Sequence, residues 1–372
     1  MARSKVYYTD MRTEYGNNLQ QKLSKLITAA GIGSIDFDKK FAAIKIHFGE
    51  PGNLSFLRPN FAKTVADKVT ALGGIPFLTD CNTLYVGRRK NAIEHLYAAE
   101  ENGFNPATTG CQLIIADGLK GTDEVLVPLT GTKFVKEAKI GHAIMDADVI
   151  ISLNHFKGHE GSGFGGALKN IGMGCGSRAG KMEQHCSGKP CVKEDRCRAC
   201  RQCAKICAHG AISFESGKAA IDHNKCVGCG RCIGMCNFDA IRNDDDAENS
   251  EFLMRMAEYA YAVLKDRPSF HINLVMQVSP NCDCCSNNDL PIVPDIGMFA
   301  SFDPVALDMA SADACNAAPV IPGSMLDETL KEHGDCHHDH FSNAHPETNW
   351  RVCVDHAAAL GVGSKEYELV RV

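Results

Sequence analysis

The sequence predicts an α/β fold, a mostly parallel open sheet interrupted by a small α+β insert. Three observations predict it. Short apolar, strand-like runs alternate with helical periods up to about residue 175, the composition turns cysteine-rich and turn-rich from Lys189 to Asp246, and α/β character then resumes. Alternation of this kind implies right-handed βαβ units and a mainly parallel sheet.

In chain order, the expected strands are Lys5–Asp10, Phe41–Phe48, Ile75–Cys81, Gln112–Asp117 and Asp148–His155. Between the early ones, Leu19, Leu23, Leu26 and Ile27 recur at helical spacing. So do Phe61, Val65, Val69 and Leu72, opened by Pro59 and closed by Gly73-Gly74. After Asp244-Asp245-Asp246 come an expected helix from Glu248 to Leu264, a strand from Phe270 to Val278, and a helix opening at Asp303-Pro304. The expected division is an α/β domain whose first part is 1–187, an insert over 188–247, and a second α/β part over 248–372. An insert whose two ends return to one place favours fixed contact with its parent.

Composition narrows the function. A chain of 372 residues with 44% hydrophobic and 23% charged content can bury a substantial core. A net charge of −6 and the lack of a long basic tract argue against a nucleic-acid partner. No apolar run approaches the roughly 20 residues that span a bilayer, and the first residues lack an apolar signal core, so a cytoplasmic location is expected. Nineteen cysteines without such a signal, clustered at ligand spacing, read as metal ligands in a reducing, oxygen-poor compartment.

The insert carries Cys197-x2-Cys200-x2-Cys203-x3-Cys207, and the spacing recurs at Cys226, Cys229, Cys232 and Cys236. The offset is 29 residues throughout and also relates Ala211-Ile212 to Ala240-Ile241, an internal duplication. The pattern resembles the bacterial two-cluster ferredoxins. That resemblance implies two [4Fe-4S] clusters, one on Cys197, Cys200, Cys203 and Cys236, the other on Cys226, Cys229, Cys232 and Cys207. The family's proline after each fourth cysteine is replaced by Ala208 and Asn237. Two structural zinc sites are the alternative, although such sites rarely use eight cysteines at a doubled spacing. Arg196, Arg198, Arg201 and Lys205 crowd the first motif. They either raise the potential of the cluster beside them or stand solvated and screened.

Ligands of open α/β sheets bind beyond the carboxyl ends of the strands. Four expected strand exits carry groups suited to proton transfer or metal binding: His47, Asp80, His155 with His159 beyond it, and Cys282-x-Cys284-Cys285. The last trio reads as a further metal site, a redox thiol pair or a structural element. Cys336-His337-His338-Asp339-His340 reads as an exposed loop. Gly161, Gly163, Gly165 and Gly166 spell G-x-G-x-x-G, but Phe156–Glu160 separate them from the strand, so the dinucleotide fingerprint is weak. Backbone N–H groups at a helix start near Ala167 remain a candidate cofactor or anion cradle.

The stretches "NHFKGHEGSGFGGALKNIGMGC" and "DCCSNNDLPIVPDIGMFASFDPVALD", with the ferredoxin-like motifs, resemble the family known as domain of unknown function 362. That likeness implies an iron–sulfur protein and supplies no substrate. A fainter likeness, through His159-x9-Lys169, is to the nickel-pincer lactate racemases. It would make His159 a proton-transfer residue and Lys169 a tether or anion contact, where the plain reading of Lys169 is a solvent-facing helix residue.

The function expected is an iron–sulfur oxidoreductase. Its clusters would pass electrons to a small-molecule substrate or an organic or metal cofactor at the strand exits, with a redox protein as partner and His47, Asp80, His155, His159 and Lys169 as the catalytic set. An electron carrier with no catalytic site of its own, and a metal-handling or cluster-assembly protein, are the alternatives.

Overall fold

The computed structural model describes residues 3–84, 87–185, 189–238, 240–242 and 249–372. The expected insert boundaries at 187/188 and 247/248 lie outside them. Eight strands form the central sheet: β1 (Ser4–Asp10), β2 (Phe41–Lys45), β3 (Ile75–Asp80), β4 (Gln112–Ile115), β5 (Val149–His155), β6 (Ser269–Val275), β7 (Gly297–Ser301) and β8 (Tyr367–Arg371). Their spatial order is β8-β1-β7-β6-β5-β2-β3-β4. Every neighbouring pair is parallel except those involving β7, which runs antiparallel to both β1 and β6.

The expected mostly parallel α/β sheet is what the chain forms, with β7 as its one antiparallel strand. Strands β2 and β3 are parallel neighbours joined through a helix, as a βαβ unit requires. Strand β1, however, is separated from β2 by β7, β6 and β5. Three expected strands also end early, β2 at Lys45, β4 at Ile115 and β6 at Val275. Ile46, Phe48, Met276 and Val278 beyond them are still buried, because an apolar run reports burial rather than ladder pairing.

Both faces of the sheet are covered. Alternate residues of one strand divide between two cores: Ala42 and Ile44 with Leu23, Leu26 and Ile27 of α1 (Leu19–Ala29) and Phe61, Val65 and Val69 of α2 (Pro59–Ala71), Ala43 with the opposite core. All seven residues of β5 are buried, as expected of a central parallel strand. The opposite layer contains α3 (Ala167–Cys175), α4 (Arg178–His185), α5 (Asn249–Leu264) and α6 (Pro304–Asn316). Asn18 closes a capping box on α1, and Asp303 caps α6 just before its first-turn proline.

The duplication in residues 189–242 is visible in the backbone. Short strands Cys191–Val192 and Ala220–Ile221, helices Gln202–Ile206 and Arg231–Met235, and strands Ile212–Ser213 and Ile241–Arg242 all repeat at the 29-residue offset. Ala199 and Arg201 adopt the positive φ that Gly228 and Gly230 adopt in the second copy. Cys191 pairs with Arg242 and Val192 with Ile241, so entry and exit lie side by side. Among the described residues, no helix is long and apolar enough to cross a membrane.

Candidate functional site

The carboxyl ends of the adjacent strands β3, β2, β5 and β6 open onto one cleft of about 750 Å³, counting the space open to solvent. His47, Asp80, His155, His159 and Lys169 all line it, together with Cys284, Lys45, Arg89, Lys157, Lys181 and His185. Five lysine and arginine side chains line it; Asp80 is the one carboxylate among the lining residues, and Glu50 and Asp283 pair with Arg89 and Lys157 from behind it.

A chain of buried polar contacts holds the floor. Lys45 Nζ lies 3.0 Å from Asp80 Oδ1 and donates to Asn170 Oδ1 at 2.7 Å. Asn170 donates to Asn154 (2.7 Å), Asn154 to Asn273 (2.9 Å), and Asn273 to Asp308 (2.9 Å). Asp308 in turn accepts the N–H groups of Ala167 (2.7 Å) and Leu168 (2.9 Å) at the start of α3. Burial pushes the Asp308 carboxyl up to about 6 despite these donors. Asp80 is shifted the other way: burial raises it, but Lys45 and His95 outweigh burial and hold it below the usual carboxylate range. It is the counter-ion of Lys45 in this arrangement.

The anion cradle expected at the glycine turn needs correction. The helix N–H groups that would bind an anion are occupied by Asp308. Gly161 lies in the turn, and Gly163 opens the second strand, of a hairpin pairing Lys157–His159 with Gly163–Gly165. Gly165 and Gly166 do line the cavity, and Gly166 is required because a Cβ there would lie 2.3 Å from Asp308.

His155 and His159 behave differently. His155 Nδ1 is 2.8 Å from Asp283 Oδ2, and Nε2 is 2.8 Å from the Met276 carbonyl, so both ring nitrogens must carry hydrogens for these to be hydrogen bonds. Lys157 also reaches Asp283, at 3.3 Å. Burial raises the Asp283 carboxyl, but His155 and Lys157 prevail and depress it. His159 Nδ1 instead accepts the N–H groups of Gly161 (2.9 Å) and Ser162 (3.1 Å), leaving Nε2 to face the site. His47 has the Gly49 N–H at Nδ1 and Arg89 at Nε2, both donors, and its neutral ring can accept from only one of them. Burial first, and Arg89 next, push its pKa well below the ordinary value, so it stays neutral. Arg89 is paired with buried Glu50 at 2.8 Å.

The thiol loop after β6 is held from two sides. Glu50 N–H bonds the Asp283 carbonyl and Arg89 the Cys284 carbonyl, while Gly158 N–H bonds Ser279. A Cβ on Gly158 would lie 2.3 Å from the Pro280 carbonyl, so only glycine permits this approach. Lys169 Nζ donates to Cys282 Sγ at 3.0 Å. Among the described residues, two donor groups have their ligand atoms mutually within 4.8 Å: His159, Cys282 and Cys284, and Glu160, Cys284 and Cys285. Of the expected exposed loop Cys336–His340 only 336–338 are exposed; Asp339 is buried as the cap of a short helix that opens at His340.

Sequence reading missed Lys45, Lys157, Arg89, Lys181 and His185. Lys45 and Lys157 were signalled by a charge inside or just after an otherwise buried apolar strand, and the others by nothing local. Lys181 bonds the Gly176 carbonyl (2.6 Å) and reaches that of Gly174 (3.4 Å), at the end of α3, a favourable place for a cation.

The eight repeated cysteines line two further cavities of about 310 and 350 Å³. Cys197, Cys200, Cys203 and Cys236 line the first, and Cys207, Cys226, Cys229 and Cys232 the second. Ala211 N–H points at Cys207 Sγ (3.4 Å), and its repeat mate Ala240 at Cys236 Sγ (3.2 Å). The set is compatible with a metal cofactor. Helix α4 joins this segment to the main cavity. Arg178 and Met182 pack against Gly230, and Leu84 and Met182 share a core with Ile233 and several of the cysteines. Lys181 and His185 of the same helix line the main cavity.

No curated protein matches the chain. Among solved structures, a Thermotoga maritima protein is similar at 16% identity and TM-score 0.41, over 83% of this chain and 59% of that one. The lactate racemase apoprotein of Thermoanaerobacterium thermosaccharolyticum is similar at 11% and 0.39, over 73% and 51%. The chain thus spans between half and three fifths of those proteins, and likeness at these scores carries no argument about chemistry. Residues 42–313, well over half of the sequence, match one family model, and the chain belongs to that family, described as domain of unknown function (DUF362).

Proposed function

We propose that this protein is an iron–sulfur oxidoreductase, in which residues 189–242 form a ferredoxin-like insert and the main cavity binds the group that is oxidised or reduced. The observation that carries the reading is the crossing of the ligands. Each small cavity takes three cysteines from one repeat and the last cysteine from the other, Cys236 or Cys207. This is the sharing found in two-cluster ferredoxins.

The donor spacing favours clusters over single ions. A zinc ion bound at ~2.3 Å would draw its sulfurs within about 4 Å of one another. Among the described residues, no three of these eight cysteines have sulfurs mutually within 4.8 Å. When bound, two [4Fe-4S] clusters would supply one-electron transfer.

The chain's own residues supply the rest. Backbone N–H groups of Ala199, Ala211, Ala219 and Ala240 point at cysteine sulfurs and would stabilise their negative charge. Arg178, fully buried on α4, adds a positive charge near Cys229 and Cys232. In the main cavity the lysines and Arg89 favour an anionic ligand, and the Lys169 ammonium and His159 Nε2 are placed to hold or give a proton. Anoxically purified protein should contain about eight irons and eight sulfides, and dithionite should bleach its visible absorption. Stoichiometric zinc with no sulfide would refute the reading.

A further inference from the structure

The three thiols after β6 form a row from the interior to the surface: Cys282 is wholly buried, Cys284 is half-buried in the cavity wall, and Cys285 is exposed. Cys284 contacts both of the others. Cys282 is also approached by the Lys169 ammonium at 3.0 Å and by His159. A thiol among cations and donors is set up to ionise, and an ionised thiol beside a protonated one is the arrangement of an exchanging dithiol.

The same residues could be taken for a metal site, but the His159 ring argues otherwise. Its Nδ1 accepts two backbone N–H groups, which puts the hydrogen of the neutral ring on Nε2, the nitrogen facing Cys282. A metal ligand would need Nε2 bare and Nδ1 protonated against those two donors. The ring is therefore oriented as a hydrogen-bond donor to sulfur.

We infer that Cys282 and Cys284 form a dithiol–disulfide couple in the cavity wall, and that the cavity takes a small anionic disulfide as its substrate. The substrate class follows from sulfur exchange on one side and from the lysine- and arginine-rich lining on the other. The inference deepens the oxidoreductase reading and rests on it only for the source of electrons.

The exchange balances with one proton. Cys284 attacks one sulfur of the disulfide while its proton passes to Cys282; a bond forms between Cys284 and the substrate, the substrate's S–S bond breaks, and a thiolate leaves. That thiolate takes the proton back from Cys282, which attacks Cys284; the Cys282–Cys284 bond forms and the mixed disulfide breaks. The products are one thiol and one thiolate, and the substrate has gained two electrons. Two electrons from an iron–sulfur reductant and one proton restore the dithiol. Lys169 and His159 stabilise the Cys282 thiolate before and after.

The test uses the full chain, purified anoxically and incubated with glutathione disulfide, a small anionic disulfide, followed by mass mapping of the peptide containing residues 282–285. Wild type should acquire a Cys282–Cys284 disulfide. Cys282→Ser should instead trap glutathione on Cys284, and Cys284→Ser should leave Cys282 free of glutathione, since Cys284 is the attacking thiol. Lys169→Met, with iron content as the check on folding, should slow the reaction by about tenfold or more at pH 7. A wild-type peptide that stays reduced, one that joins Cys284 to Cys285, or a stoichiometric metal lost in Cys282→Ser would each overturn the couple. Because the readout is a peptide mass and iron is measured separately, a failed couple leaves the iron–sulfur reading standing, and protein lacking iron leaves the couple standing.

Discussion

The eight cysteines of residues 197–236 repeat at a fixed offset and line two separate cavities, and the sulfurs of Cys197, Cys207 and Cys236 accept backbone N–H groups. Cys282, Cys284 and Cys285 have no repeat, lie against one another and sit beside Lys169 and His159. The difference matches the two uses of sulfur proposed above. Ligand sets are specified by spacing along the chain, because a short turn must aim several thiolates at one centre. Reactive thiols are specified by neighbours brought from elsewhere, because ionisation depends on local charge.

The largest effect that would sharpen this contrast is on iron. Cys203→Ser should lose about half of the iron by emptying one of two four-iron sites, while Cys285→Ser should keep all of it. Equal losses in both variants, measured by iron and sulfide analysis, would erase the distinction between the regions.

A smaller effect comes from Asp117, which accepts Asn82 N–H at 2.9 Å and whose other carboxylate oxygen is buried without a partner. Burial pushes this carboxyl up from 3.8 to about 6, although Lys181 pulls it down. The raised value means that the unfolded chain releases its proton first. Stability is therefore lost as pH rises from about 4 to about 6, by up to roughly 3 kcal/mol for this group alone. Asp117→Asn should gain stability relative to wild type across that window. Urea midpoints at pH 4 and 7 measure it, and a difference that does not change with pH would show that Asp117 is not so strained.

The smallest effect concerns the helix between the regions. Arg178→Leu should lower the potential of the centre held by Cys207, Cys226, Cys229 and Cys232 and leave the other unchanged, with Arg178→Lys restoring part of the shift. A redox titration followed by electron paramagnetic resonance reads this. An equal shift of both centres would mean that Arg178 acts through packing.

Much of the frame was legible because its signals are local. The α1 and α2 periods, Pro59, the Asp303-Pro304 start of α6 and the apolar runs of β3 and β5 each lie within a single element. The antiparallel strand β7 and the wide separation of β1 from β2 were not legible, since nothing in a strand names its neighbours. Residues at the four strand exits could be nominated from the general position of ligands in α/β sheets. Their states could not: His155 and His159 share one short segment, yet Asp283 with the Met276 carbonyl and the Gly161 and Ser162 amides set their ring hydrogens differently.

The sequence by itself determined the alternating frame, the duplicated cysteine spacing and the family, because each is written in adjacent residues or a fixed period. Only the tertiary structure decided that Asp308 fills the N terminus of α3, that Lys45 and Asp80 neutralise each other, and that Lys169 meets Cys282, 113 residues away. Those contacts depend on which strands pair and which loops meet. Burial then makes every unmatched charge costly, so the partners a fold brings together fix what each side chain can do.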